Sequence, residues 1–567
     1  MLFQLPKMIF SVSNIFMKST LCSIVVVFVL CNNLIAQPDS NIPPQSKVVE
    51  LFGSVPLVTL PRFDYAAAAF ADSLDDSHHK FQKFSRSVPA NVSIQQSGHW
   101  SDVSGGRVCR VDVLSQSALA LIPFFNKFVL PEGATLHIYS KEELIGAFTH
   151  QNSTDGAYCT GLIHGDKITL EYFEPTEQRG KGDIFLEYIG HAYRWVKPVK
   201  SPTRDFGDAD NCQVNINCTE GANWQNQKRS VVRILVNEGT SQGWCTGAMV
   251  NNTRQDCIPY LLSAQHCSFG SDSLDMLTWV FYYNYESQNC TNPVLEGTLG
   301  LKFITGARKI SDSNDNGGES GSDFLLLRLL TTPPANYNVF YSGWNTTTTT
   351  PQNGVCIHHP SGDIKKISTF NSASSSNWGF VNGSHWQLSW VSTTNGHGVT
   401  EPGSSGAALF NSSGEIVGAL TGGDSFCSAP EQPDLFGKFS FSWVSNGTPN
   451  NERLKPWLDP DNTGVSSISG ASAGCISSVS EALNYDAVKI YPNPAKDEIT
   501  LSLNKNFGEA ATFTLCDFAG SVVMQQTLPT NADCIKLKVA GVSDGIYVGK
   551  IKSGNSVLFQ QKLLIVK

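Results

Sequence analysis

Apolar and polar positions alternate with a period of two over much of the chain, in stretches such as "ATLHIYS", "DKITLEYF", "SVVRILV", "LTWVFYY" and "EIVGALTGG". Alternation of this kind predicts strands that bury one face. Gly/Ser/Asn-rich loops separate the stretches, and no helical period persists over a long window until "NERLKPWLDP" near residue 451. The pattern divides the chain. Residues 37–206 read as a β-sandwich, and residues 207–465 as an all-β domain of about 250 residues, a length that barrel folds reach as one domain. Residues 466–486, "TGVSSISGASAGCISSVSEA" and its flanks, read as a flexible linker. Residues 487–567 read as a small sandwich of about seven short strands. The fold class expected is mostly β.

The first 36 residues break the pattern. Lys18 precedes the apolar run "LCSIVVVFVL", and "NLIA" offers a cleavage point after Ala36, which reads as a secretory signal. The run is too short to span a bilayer, and no later segment approaches ~20 apolar residues, so no transmembrane helix is expected after signal removal. Charged residues are only 16% of the 567, and the net charge of −9 gives no reason to expect nucleic acid as a partner. Export makes disulfides permissible for the 15 cysteines. Cys22 and Cys31 leave with the signal, so an odd number remains. Cys109 and Cys159 are placed to staple the first sandwich, and Cys516 and Cys534 to pair in the last. No CxxC pair occurs, and neither a metal nor another cofactor is expected.

Three short stretches of the middle domain carry chemistry. "LLSAQHC" ends an apolar strand on His266, "SDFLLLRL" begins one on Asp323, and "EPGSSGAALF" sets Ser405 in a turn ahead of a strand. A serine hydroxyl becomes a nucleophile only when an imidazole takes its proton, and that imidazole needs a carboxylate to hold its tautomer. A strand-end His or Asp is more often a structural hydrogen-bonder. All three in the order His, Asp, Ser inside one all-β domain point to a triad. The acidic loop "DSNDNGGESGSD" (312–323) nearly satisfies a calcium-loop spacing, but its twelfth position is Asp323 rather than glutamate and a strand follows. It reads as a solvated loop before the catalytic aspartate.

"CTGAMVNNT…IPYLLSAQHC", "SDFLLLRL", "VCIHHPSGDIKKIS", "TEPGSSGAALF" and "PDLFGKFSFSW" together resemble lysyl endopeptidase, a lysine-specific branch of the chymotrypsin-like serine proteases. The resemblance implies a double β-barrel with the active site between barrels. It makes His266 the general base, Asp323 its orienting partner and Ser405 the nucleophile, with the N–H groups of Gly403 and Ser405 as oxyanion hole. Asp434 matches the family's lysine-recognising aspartate and Trp378 its pocket tryptophan. Thr421 stands where the family has a histidine, and Thr421-Gly422-Gly423 offers the edge on which substrate backbone pairs. The resemblance also implies the disulfides Cys212–Cys427, Cys218–Cys290 and Cys245–Cys267. Cys257 and Cys356 fall outside its pattern and are read as a pair. Ser404 occupies the place where trypsin-like enzymes carry an aspartate that pairs with the freed N-terminus, so the oxyanion turn must be held some other way.

The tail, with "YPNPAKDEITL", "DGIYVGKI" and "KLLIVK", resembles the sorting domain of the type IX secretion system, which implies the secretion machinery of a Gram-negative cell as a partner. The expectation is a secreted preproenzyme: signal 1–36, propeptide 37–206, a lysine-preferring serine endopeptidase 207–465 acting on protein or peptide substrates, linker 466–486 and export tail 487–567. Maturation is expected in "KPVKSPTRDFG", with Lys200 and Arg204 as natural points. The alternatives are a protease accepting Lys and Arg alike, and a surface adhesin on a dead protease domain.

Overall fold

A computed structural model describes residue 38 and residues 41–77, 82–194, 209–293, 302–444, 446–472, 488–503, 511–517, 522–529, 534–553 and 556–566. The expected signal, most of the linker, and the maturation segment with Lys200 and Arg204 lie outside them. The described chain is mostly β, as the alternation requires. None of its helices is long and apolar enough to cross a membrane.

In the N-terminal region one sheet is built on strand Gly106–Leu114, with Lys167–Pro175, Thr135–Tyr139 and Leu144–Phe148 following across it. A second carries Lys83–Ser93, Asp183–Ala192 and Ala120–Val129 side by side. A helix, Tyr65–Ser77, interrupts the β pattern. Its "YAAAAF" start is alanine-rich, and alanine has the highest helix propensity. Asp72 anchors it by accepting from Arg86 and from the Tyr193 hydroxyl.

This sheet does not stop at the expected domain boundary. Strand Lys83–Ser93 pairs antiparallel with Ser241–Met249, setting Ser85 opposite Gln242 and Lys83 opposite Gly243. Phe84, fully buried, stacks on Trp244 with ring centroids 5.0 Å apart, and Lys83 forms an ion pair with Glu238. The core of the N-terminal region therefore runs on through Leu235, Trp244, Val280, Tyr282 and Phe303. Burying these aromatic faces on both sides is what welds the two regions, since each large ring removes much apolar surface from water.

Beyond the seam, strands Val231–Asn237, Ser241–Met249, Tyr260–Ala264, Val280–Tyr283, Lys302–Thr305, Ala307–Asp312 and Phe324–Leu329 curl around a core of Ile234, Met249, Leu261, Phe281, Leu325 and Leu327. A second barrel-like sheet runs in the order Val214–Asn215, Lys366–Phe370, Gly354–His358, Ala408–Asn411, Ile416–Gly423, Asp434–Lys438, His385–Leu388 and Ala373–Ser376. Trp386, Trp390 and Phe436 fill its interior. The helical period near residue 451 yields only a 3₁₀ turn and a short helix, Lys455–Leu458, its second residue a proline that suits a first turn. The tail forms seven strands among the described residues, in sheets of three and four.

Three bridges form in the described residues: Cys212–Cys427, Cys218–Cys290 and Cys245–Cys267. The other expected pairings do not. Cys109 and Cys159 are free and buried on different sheets, the first on strand Gly106–Leu114 and the second on Tyr158–Cys159. Cys516 is buried and free while Cys534 is exposed and free, the two on strands of different sheets. Cys257 is disulfide-bonded but Cys356 is a free thiol, enclosed in the second barrel.

Candidate active site

His266 follows strand Tyr260–Ala264, whose five residues are all buried, and lies in a 3₁₀ turn next to the Cys245–Cys267 bridge. Asp323 immediately precedes strand Phe324–Leu329, which pairs with Tyr260–Ala264 and so delivers the carboxylate to the imidazole. Asp323 Oδ2 lies 2.7 Å from His266 Nδ1, and Oδ1 accepts the His266 backbone N–H at 2.9 Å. With both oxygens engaged and the carboxylate fully buried, the ring cannot turn without breaking a charged hydrogen bond. Asp323 adopts φ 54°, a left-handed conformation that Asp tolerates better than most residues. The loop before it holds that geometry: Asp315 Oδ2 accepts the Asp323 N–H at 2.8 Å, and Oδ1 accepts from Gly318. The loop expected to be solvated thus buries a supporting carboxylate, Asp315 being 3% exposed.

Burial pulls the His266 pKa down, but the carboxylates of Asp323 and Asp315 outweigh it and hold the imidazole above its ordinary value. Burial and the neighbouring Asp323 charge both raise Asp315.

Ser405 comes from the other barrel, in the turn leading to strand Ala408–Asn411. Its carbonyl accepts the Thr246 N–H at 2.8 Å and the Thr246 hydroxyl donates to Gly403 O at 2.8 Å, pinning the turn to the strand beside His266. Glycine is required at position 406, where φ is 80° and a Cβ would come within 2.2 Å of Ser263 Oγ and 2.6 Å of Thr246 O. The N–H groups of Gly403 and Ser405 donate to no group among the described residues. His266, Gly403 and Ser405 line one cleft of about 590 Å³, together with Trp378, Thr421, Gly422 and Gly423. Among the described residues no hydrogen bond joins His266 to the Ser405 hydroxyl, and such contacts often tighten only around substrate. Gln82, from the N-terminal region, lines the same cleft.

Behind Thr400, Gly423 and Ser425, which line the cleft, Asp434 opens strand Asp434–Lys438, opposite Gly423 and Leu388, and is not itself part of the lining. It is fully buried. Oδ2 accepts from the Trp390 indole (2.6 Å), the Thr400 hydroxyl (2.7 Å) and the Ser425 hydroxyl (2.7 Å), leaving Oδ1 with one long contact to the Ser425 N–H, 3.3 Å. Burial pushes its pKa up, and these donors pull it back. Only glycine fits at 423, because a Cβ there would lie 2.1 Å from Asp434 Oδ1. Trp378, about one-third exposed, lies against Gly422, where a Cβ would sit 2.9 Å from its ring.

Thr421 has an unforeseen partner. Its hydroxyl is 3.0 Å from Nε2 of His385, a fully buried histidine two strands away, across Asp434–Lys438. The Ser384 hydroxyl donates to Val381 O, so it accepts from His385 Nδ1 (2.7 Å), and Nε2 is left to accept the Thr421 proton. Burial lowers the His385 pKa to about 4, with Asp323 opposing, so this imidazole is neutral near pH 7. His385, Trp390, Thr400, Ser425 and Asp315 carry no local motif. Only Thr400, inside "TEPGSSG", and Asp315, inside "DSNDNGGESGSD", were within reach of the sequence reading.

Residues 206–437 match the family model described as lysyl endopeptidase, C-terminal domain, and the span contains His266, Asp323, Ser405 and Asp434. Over those residues the chain is similar to the lysyl endopeptidase family. The match extends to a curated relative, a lysyl endopeptidase of Pseudomonas aeruginosa, 29% identical over 325 residues, covering 55% of this chain and 67% of that protein. The second barrel-like sheet extends past the matched span, because strand Ser467–Ile468 pairs with Trp344–Asn345. Residues 489–567 match a secretion system C-terminal sorting domain. Among solved structures, a serine endoprotease from Yersinia pestis aligns at 16% identity and TM-score 0.24, over 38% of this chain and 60% of its own. A thermostable serine protease, AL20, from an extremophilic microorganism aligns at 14% and 0.28, over 40% of this chain and 96% of its own. TM-scores this low do not decide a fold.

Proposed function

We propose that the chain is the precursor of an exported serine endopeptidase that cleaves on the carboxyl side of lysine. The observation that carries the reading is a buried carboxylate, Asp434, bonded to Thr400 and Ser425, which line the same cleft as His266 and Ser405. An isolated buried charge is very costly, so a pocket ending in one selects the side chain that brings the opposite charge. Ser405 attacks the carbonyl carbon of a Lys–X bond while His266 takes its proton. The Gly403 and Ser405 N–H groups receive the oxyanion, His266 returns the proton to the leaving amine, and water hydrolyses the acyl-enzyme. Asp323 holds the imidazole and stabilises its cation.

In this reading residues 1–36 are the signal, 37–206 a propeptide, 466–486 a linker and 487–567 the tail through which the type IX machinery of a Gram-negative cell exports the protein. A propeptide that adds a strand beside the catalytic cleft, with Gln82 lining it, is built to assist folding and to block access. One aspartate also serves arginine, so an enzyme accepting both cations is the second reading. Matched Lys and Arg fluorogenic peptides, tested on matured protein with Ser405→Ala alongside, decide it. Fast Lys cleavage, slow Arg cleavage and a silent variant are expected. Equal rates favour the second reading, and folded protein that cuts neither peptide favours the adhesin.

A further inference from the structure

The oxyanion turn is held without a buried ion pair, and the group that holds it is a histidine. Ser404, between Gly403 and Ser405, is fully buried, and its Oγ lies 2.7 Å from Nδ1 of His358, itself fully buried at the end of strand Gly354–His358. The other ring nitrogen, Nε2, is 3.1 Å from the Ser368 hydroxyl, which donates its proton to Val399 O. Ser368 therefore accepts, His358 carries its hydrogen on Nε2, and Nδ1 is a bare lone pair that takes the Ser404 proton. Ser404 Oγ in turn accepts the Glu401 N–H at 3.2 Å, while the Ser404 N–H donates to Glu401 O at 2.9 Å. The Ser404 hydroxyl thus donates one hydrogen bond, to His358, and accepts one, from Glu401. Burial lowers the His358 pKa to about 3, with Lys366 adding to the effect, which keeps the acceptor lone pair available.

The Glu401 side chain extends the clamp. It accepts from the Asp210 N–H (3.0 Å), the Gln213 amide (2.9 Å) and the Ser361 hydroxyl (2.7 Å), tying the turn to the segment around Cys212. Ser361 N–H closes the other side on Pro402 O at 2.6 Å.

We propose that His358 is a positioning residue for catalysis: as a neutral acceptor of the Ser404 hydroxyl it fixes the Gly403–Ser405 turn in the shape that receives the oxyanion. The aspartate–N-terminus ion pair expected of trypsin-like enzymes is thereby dispensable. Nothing in this arrangement waits for a new α-ammonium group, so the hole is formed before cleavage of the chain, and activation consists only of clearing the cleft. This rests on the reading of Ser405 as nucleophile.

The test uses the full chain, matured, with Ser404→Ala, His358→Gln and His358→Asn. Asparagine keeps an acceptor near the Nδ1 position, whereas glutamine moves its amide toward Nε2. A peptidyl-lysine aldehyde reports the oxyanion site, and pentylamine reports the cation pocket alone. Ser404→Ala and His358→Gln should lower kcat about 10–100-fold, less than or near the loss of one oxyanion donor. KM and pentylamine affinity should stay within about threefold, aldehyde affinity should fall in step with kcat, and His358→Asn should recover most of the loss. Ser404→Ala with wild-type kcat and aldehyde affinity overturns the proposal. So does a fall in all readouts together, or His358→Asn no better than His358→Gln, a comparison that stands even if Ser404→Ala does not fold. Labelling of wild-type Ser405 by a sulfonyl fluoride separates the two readings. A labelled wild type whose variants lack the split overturns the clamp alone, whereas an unlabelled one overturns the protease reading and the clamp with it.

Discussion

Replacing Asp434 by asparagine tests the proposed specificity pocket with almost no change of shape. Three donors converge on Oδ2, so the asparagine oxygen must take that place to satisfy Trp390, Thr400 and Ser425. Its amide nitrogen then stands where Oδ1 was, facing the Ser425 N–H and, in a complex, the substrate ammonium, both of them donors. The lysine cation is left buried without a counter-charge. A unit pair about 4 Å apart at an effective dielectric near 20 is worth about 4 kcal/mol, and breaking a buried pair by removing one partner typically costs about 3–5 kcal/mol. We expect kcat/KM for a lysyl peptide to fall roughly 10²–10⁴-fold, since each ~1.4 kcal/mol is tenfold. The matched norleucine peptide, which has the same length and no charge, should change by less than about threefold. Steady-state kinetics on Lys, Arg and norleucine peptides read the effect directly. A variant that keeps lysyl cleavage within about threefold of wild type, while folded and Ser405-reactive, refutes the assignment of Asp434.

Three other perturbations follow from the same geometry. In Gly423→Ala the new methyl meets Asp434 Oδ1 at 2.1 Å and the Asp434 backbone at 2.5 Å, neither of which yields cheaply. The melting temperature should fall by an amount matching about 1–3 kcal/mol, with lysyl kcat/KM falling more than about tenfold. Asp315→Asn removes one of the charges that raise His266, so its pKa drops and the acid limb of kcat/KM moves to lower pH. An unmoved limb in the pH–rate profile would discount the Asp315 contribution. Phe84→Ala empties the fully buried stack on Trp244 and should destabilise the full chain by about 3–5 kcal/mol in urea unfolding. A loss under about 1 kcal/mol would mean that the seam between the N-terminal region and the barrel is not a shared core.

The one-dimensional pattern carried the strands because burial on one face of a sheet imposes a period of two that each segment displays by itself. His266, Asp323 and Ser405 stood out as candidates for a related reason, since each sits at a strand end or in a glycine turn whose local constraint is written beside it. The pocket walls are different. Trp390, Thr400 and Ser425 converge on Asp434 from three separate segments, His358 meets Ser404 of a turn far along the chain, and His385 meets Thr421 across an intervening strand. Such contacts depend on strand order and register, which involve pairs of distant segments and leave no trace in either one alone. The cysteines show the same limit: alternation places Cys109 and Cys159 in strands, but whether two thiols meet depends on which sheets those strands join. The continuous sheet from Lys83–Ser93 into Ser241–Met249 is likewise a property of the assembled chain, because an edge strand becomes an interior one only when a partner covers its free N–H and C=O groups. Sequence alone named the groups proposed to do the chemistry. Tertiary packing decided which hydrogen bonds hold them, because a buried polar group takes whatever partner the fold brings within reach.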